Sequence, residues 1–209
     1  NRAWTDPFYY KQIISNELNS KFTLNEVDKY AICYWPADFD SQGFKKCEAS
    51  RETYEGRGAW MDAIVYLSEW ARPKNELKYS IGLSKACRDH VLDIGVHGTF
   101  SHDGSDGSNP EIRASRHIFS GSSSVENLAF IDERAGLSAD PVSIISTMII
   151  NDGELDRDTR NNLLNPDFTH IGIACGCHSV IGEVCCFAYG KNIDDGNQSP
   201  MQPLYDVQR

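Results

Sequence analysis

The chain has 209 residues, a formal net charge of -10 and 40% hydrophobic content. That length and apolar fraction suit one compact domain with a sizeable core, while the acidic balance excludes nucleic acid as a general partner, because phosphate backbones repel it. The longest nearly uninterrupted apolar run, Val142 to Ile150, is about half of the ~20 residues a membrane-crossing helix needs, so no membrane span is expected. The start at Asn1, without a methionine or an apolar leader, fits a processed N-terminus.

In chain order, "TYEGRGAWMDAIVYLSEWARP" places Trp60, Ala63, Ile64, Leu67 and Trp70 at three- and four-residue intervals and stops at Pro73, which predicts an amphipathic helix. "LSKACRDHVLDIGVHG" repeats the pattern with Leu83, Cys87, Val91 and Ile94, with Ser84 as the cap and Gly98 as the close. The polar stretch "FSHDGSDGSNPEIR" follows: Gly104 and Gly107 suit successive turns capped by aspartates. It lacks the closing acid of a calcium loop. "SGSSS", residues 120 to 124, reads as a flexible loop. "ADPVSIISTMIIND" predicts a third helix, capped by Asp140 with Pro141 in its first turn, and the acids Asp152, Glu154, Asp156 and Asp158 beyond it read as a solvated face. "THIGIACG" and "EVCCFAYG" predict a β-hairpin. Helices that precede a sheet argue for an α+β fold, and the polar tail from Lys191 is expected to wrap the surface or fray.

The seven cysteines are many for a reducing compartment and few for a disulfide-dominated scaffold. Cys33 and Cys47 flank a loop that a disulfide would close, and Cys175 or Cys177 faces Cys185 or Cys186 across the hairpin. Cys87 and one of the adjacent pair read as buried thiols. A zinc knuckle at "CGCH" lacks a second spaced ligand pair, so a disulfide is the stronger expectation. Asn197 heads a sequon and is a glycosylation candidate. Of the six histidines, His90 falls on an apolar helix side, which predicts a hydrogen-bonded core imidazole. His97 lies near a helix end, and His117 and His170 read as surface residues. His102 opens the polar loop, where a side chain can face a cleft. Neither a G-x-S-x-G elbow nor a phosphate-cradling glycine turn is present, so enzyme chemistry has little support.

Several segments in the same order resemble the CAP superfamily (SCP-like: cysteine-rich secretory proteins, antigen 5 and pathogenesis-related proteins), in its bacterial and protist branch. "TYEGRGAWMDAIVYLSEWARP" resembles T-x-E-G-x-x-A-x-x-E-A-I-x-F-L. "GLSKACRDHVLDIGVHGTFSHDGSDGSNPEIR" resembles the G-L-S-x-A-A-x-D-H run that ends in G-S-D-G-S and an arginine. "ENLAF" resembles E-N-I-A/L, and "INDGELDRDTRNNLLNPDFTHIGIACGCH" resembles the I-D-D-G run with its G-H-R and N-P-x-F elements. The likeness runs from about Tyr54 to Gly190. It implies an α-β-α sandwich with a central, mostly antiparallel sheet, in one domain over 1–209: a core at about 54–190, an N-terminal extension 1–53 and a tail 191–209.

The resemblance also implies a cleft where relatives hold a divalent metal such as zinc with two histidines and two acids. His102 matches the first histidine and Glu126 the first acid, whereas Thr159 stands in place of the second histidine, before Arg160. Asn151 and Asp152 cover the second acid. One imidazole with one or two carboxylates makes a poor zinc site. The expectation is therefore a degenerate cleft of His102, Glu126, Asp152, Thr159 and Arg160, with weak or no metal at His102 and Glu126 and no other cofactor. A hydrogen bond between those two is expected to pin the loop. The function implied is a secreted or surface, non-catalytic binding module for an extracellular lipid or protein. The alternatives are a self-assembling subunit of a surface coat or filament and, last, a metal-dependent hydrolase with His102 and Glu126 as acid and base.

Overall fold

The computed structural model describes residues 1–22, 31–39, 45–135 and 137–199, of which 31–39, 45–51, 122–124 and 135 are described by backbone alone. The element order is α1 (Arg2–Thr5), α2 (Pro7–Ser20), β1 (Ala31–Phe39), β2 (Lys45–Glu52), α3 (Arg57–Glu69), β3 (Lys78–Tyr79), α4 (Ile81–His97), α5 (Pro110–Ser115), β4 (Ser120–Ile131), a 3-10 turn (Glu133–Ala135), α6 (Pro141–Ile150), α7 (Asp158–Leu163), β5 (His170–His178) and β6 (Gly182–Asp194). These fall into two compact units, Asn1–Asn75 with Glu133–Leu164, and Glu76–Asp132 with Asn165–Arg209. Among the described residues, no helix is long and apolar enough to cross a membrane.

In the first unit the helix starts obey elementary capping chemistry. Asp6 accepts from Tyr9 N ahead of Pro7, and Asp140 accepts from Val142 N and Ser143 N ahead of Pro141. In each case an acidic cap satisfies amides the first turn leaves open, and proline fills a position that needs no N–H. Helices α2, α3 and α6 pack on one another through Ile14, Trp60, Ala63, Leu67, Met148 and Ile149, all buried. β1 and β2 form an antiparallel pair that sets Cys33 opposite Ser50 and Pro36 opposite Cys47. The Cys33–Cys47 disulfide expected from the sequence lies outside the described side chains.

The second unit is built on a four-stranded sheet in the order β3-β5-β6-β4, antiparallel except for the β3–β5 pair. Strand side chains alternate between faces, and one face presents Ala174, Val184, Cys186 and Ala188 to Leu83, Cys87, Val91 and Ile94 of α4. Burying these apolar stripes against each other is the main stabilising term of this unit. The approach is close enough that a Cβ on Gly172 would meet the backbone of Leu83 and Ser84 at 2.3 Å. The N-terminus of α4 is doubly capped, since Ser80 Oγ accepts from Leu83 N while the Asp195 carboxylate accepts from Ile81 N, Gly82 N and Ser80 Oγ. Gly98 closes the helix at φ 65, a left-handed conformation that suits glycine.

The fold class is α+β with a mostly antiparallel sheet, but several sequence expectations are corrected. Ser80, not Ser84, caps α4; Ser84 is buried and bonds Ser80 O and Ile173 N instead. Residues 120–124, expected as a loop, open strand β4, pairing Ser120 with Asp194 and Ser122 with Lys191 across a register irregularity. Backbone pairing with the long β6, not side-chain propensity, makes them a strand. The tail expected to begin at Lys191 continues β6 to Asp194, and strands β1 to β4 precede α6, so the sheet does not simply follow the helices. Cys87 is no thiol: it bridges to Cys186, and Cys175 bridges to Cys185. Cys177, also a bridge candidate, lies outside both bonds with its side chain exposed.

Replacing Gly172 by alanine drives a methyl into the α4 backbone, which has no flexible end to swing aside. The Gly172→Ala variant is expected to lose about 1–3 kcal/mol of stability or more, read as a lowered urea midpoint.

Candidate functional site

Where α4 ends, the chain turns into the polar loop and closes it with its own hydrogen bonds. Gly104 N donates to Ser108 O and Gly107 N to Gly104 O, at 2.8 and 2.9 Å. Asp93 of α4 accepts from both Ser105 N and Ser105 Oγ. Asp106 accepts from Ser108 N and from Arg116, and these bonds, Ser108's first, hold its carboxyl well below the usual carboxylate range. The loop leads into α5, which Asn109 caps by accepting from Ile112 N.

Inside this loop lies a buried charge cluster. Arg113, 2% exposed, donates Nη1 to Ser108 O and Nη2 to both His102 O and Glu126 Oε2, at 2.7, 2.9 and 3.0 Å. Glu126 comes from β4, and its other oxygen, Oε1, lies 2.9 Å from His102 Nδ1 and 3.4 Å from His90 Nε2. A carboxylate only accepts, so His102 presents Nδ1–H to it, while 57% of the His102 side chain faces solvent. Cys186 Sγ approaches Glu126 Oε2 at 3.4 Å, but a disulfide sulfur has no proton to donate, so this is a packing contact.

His90 is a core imidazole, 1% exposed, that donates Nε2–H to Ser101 O at 2.9 Å. Its Nδ1 has no hydrogen-bond partner. Burial pushes its pKa below the ordinary value, against an upward pull from Glu126. The ring is therefore neutral, and its unpaired lone pair costs stability in a dry interior.

The other candidates of the cleft, Asp152, Thr159 and Arg160, belong to the first unit. Asp152 accepts from Tyr54 N and Glu55 N, each at 2.9 Å, so it organises backbone and does not simply face solvent. Arg160 is 2% exposed and donates to Asp62 and to the carbonyls of Ile149 and Ile150 at the end of α6. Thr159 is half-buried on α7. Asn151 Oδ1 accepts from Arg160 N, and Arg157 forms a two-pronged pair with Glu55.

The residues at Glu126 do not by themselves make a zinc site. His102 places Nδ1–H on Glu126 and keeps only Nε2 for a metal, both Glu126 oxygens are engaged by His102 and Arg113, and among the described residues no group of three metal-binding side chains forms there. Arg113 and the closeness of His90 were not read from the sequence. The one signal was an arginine closing the polar run, and its partners, 5, 11 and 13 residues away, come together through the path of the loop and not through a helix or strand period.

The model of the cysteine-rich secretory protein family, CAP, matches residues 70–189, more than half of the chain. The chain belongs to this family. The matched CAP segment contains His90, His102, Arg113 and Glu126 as well as Asp152, Thr159 and Arg160. Similar solved structures include an outer surface protein from Borrelia burgdorferi, 20% identical over 56% of this chain and 78% of that one, with a TM-score of 0.44. An extracellular protein containing an SCP domain from Bacillus anthracis str. Ames is 18% identical over 64% of this chain and 38% of that one, also with a TM-score of 0.44. No curated protein matches the chain.

Two measurements check the cluster. Glu126→Ala leaves the Arg113 guanidinium buried without its counter-charge and is expected to cost about 3–5 kcal/mol in denaturant unfolding. For pH, a histidine with a depressed folded pKa takes up its proton more readily in the unfolded chain. Stability is then full above the ordinary value of 6.5 and falls as the pH drops below it toward the folded value. His170 is shifted the same way, by burial first. The unfolding midpoint is expected to decline on acidification from about pH 7 to about pH 5, with a shallower slope in His90→Gln.

Proposed function

We propose that this CAP protein works outside the cell as a non-catalytic binding module, with the loop from Phe100 to Arg113 as a preformed wall of its ligand surface. The observation that carries the reading is the commitment of Glu126: both its oxygens are engaged, one by a buried arginine whose charge it neutralises and one by a histidine, so taking up a proton or a metal there would give up the buried ion pair. The loop itself is braced by Asp93, Arg113 and its own turns, so little ordering would be lost on binding. The oxidised pairs Cys87–Cys186 and Cys175–Cys185 support an oxidising compartment.

The chemistry of the exposed corner favours a ligand with apolar character. Phe100 is more than half exposed while its ring packs on Phe130 and His178, and Val96 and Val180 are exposed around Gly98 beside it. Such a group suits a lipid or the apolar side chains of a protein better than a sugar or nucleotide.

Calorimetric titration of the oxidised chain with Zn2+ tests the non-catalytic, metal-free reading. Heat no larger than that of a His102→Ala variant is expected, and stoichiometric binding that His102→Ala abolishes would overturn it. Native mass spectrometry of the chain purified from its source is expected to show a co-purifying lipid or protein that Phe100→Asp releases; its persistence in that variant would remove this corner from the binding surface.

A further inference from the structure

In the first unit, helix α3 buries Trp60, Ala63 and Leu67 and turns its opposite side outward. Met61 and Val65 lie one turn apart on that outer side, and both are exposed, where a surface helix ordinarily carries polar groups. Beside them runs the loop from Asn151 to Arg157, fastened to the start of α3 by Gly153 N on Glu55 Oε1 at 2.8 Å and by Arg157 Nε on Asp62 Oδ2 at 3.1 Å. Arg157, left-handed at φ 57, also forks Glu55 and donates to Asn151 O and Glu154 O, which braces the loop on itself. Tyr54 and Leu155, 85% and 87% exposed, stand out from this frame. The Tyr54 ring lies so close to the loop that a Cβ on Gly153 would meet it at 2.8 Å, and Asp152 holds the Tyr54 amide. An aromatic side chain fixed from below and open above loses little freedom when a partner covers it. Single exposed apolar residues are ordinary, whereas a group of them on one braced surface marks an interaction site.

Charge decides what docks there. Glu69, Glu154, Asp156 and Asp158 are exposed in the same stretches of chain, and the Asp62 side chain is half open to solvent. The arginines of these stretches are spent inside the fold. Arg57 donates to Leu18 O and lies over the Phe22 ring, Arg157 serves Glu55 and Asp62, and Arg160 is buried. The apolar group therefore has an acidic rim. Nucleic acid and anionic bilayers are repelled by such a rim, and a second copy docking by the same face would set acid against acid.

We propose that this surface docks a basic, amphipathic segment of another protein. The apolar side chains of that segment cover Tyr54, Leu155 and Met61, and its lysines or arginines meet Asp62, Glu154 and Asp156. Tyr54 is the anchor, because a large, braced ring buried at the centre of a contact contributes most of its binding energy. Phe100 belongs to the second unit, so this docking and the ligand surface read at that residue do not rest on each other.

The full oxidised chain is titrated, by fluorescence anisotropy of a labelled probe, with a synthetic amphipathic helix of leucine and lysine and with the same peptide carrying glutamate for lysine. Saturable binding of the lysine peptide that weakens as salt is raised is expected, and none of the glutamate peptide. Tyr54→Ala is expected to weaken binding by about tenfold or more, as is the double variant Glu154→Lys, Asp156→Lys. Phe119→Asp, which alters a comparably exposed ring of the second unit, is expected to leave it unchanged. Amide NMR shifts on the natural sequence place the peptide without any variant, and are expected at Tyr54, along α3 and from Gly153 to Arg157. Equal binding of the glutamate peptide, full affinity in Tyr54→Ala or in the double variant, or shifts confined to the second unit overturns the proposal. Loss of a co-purifying ligand in Phe100→Asp bears only on the other surface, so the two readings fail separately.

Discussion

A carboxylate in a protein interior must be met by cations and donors or lose its charge, and the second unit is arranged around that demand at Glu126. Arg113 meets it from α5 and His102 from the loop, while the neutral His90 ring of α4 packs beside it. Because Arg113 also ties down Ser108 O and His102 O, one side-chain cluster joins four successive elements of the chain: α4, the polar loop, α5 and β4. The polar loop is consequently not a free turn. It is the lid on a buried ion pair, and its glycines and aspartates serve the path the backbone must take around that pair.

The first unit solves a related problem with the same residue type. The C-terminal carbonyls of α6 lack partners within the helix, and Arg160 reaches back to Ile149 O and Ile150 O while Asp62 balances its charge. Arginine suits both places because its planar group offers several donors in fixed directions and stays charged when buried. Asp152 completes the arrangement by holding the amides of Tyr54 and Glu55, and the Arg157–Glu55 pair lies beside it. Acids that read as a solvated face from composition alone are thus partly committed to backbone.

Helices α3, α4 and α6 were legible because apolar periodicity runs through each of them, although only α6 carries the N-terminal cap its sequence suggests. The late hairpin was legible for a similar reason, its alternation being local. What escaped depends on distant partners. Ser120 to Ser124 have low strand propensity, and only the far end of β6 makes them a strand. Cys87 finds its partner at a sequence separation of 99, a pairing that spacing cannot reveal. At the site, the closeness of His102 and Glu126 followed from family resemblance, whereas the buried arginine that explains why the pair exists could be seen only once the chain was folded.

The cap on α4 has a consequence for where this domain ends. The family-shared segment stops at residue 189, yet the carboxylate that satisfies the first amides of the longest helix belongs to Asp195. Gln198 adds bonds to Lys85 and to His117 O from the same stretch. An expression boundary drawn at the edge of the shared motif would cut away the clasp of the helix that the sheet is packed against. In this protein the divergent tail finishes the fold.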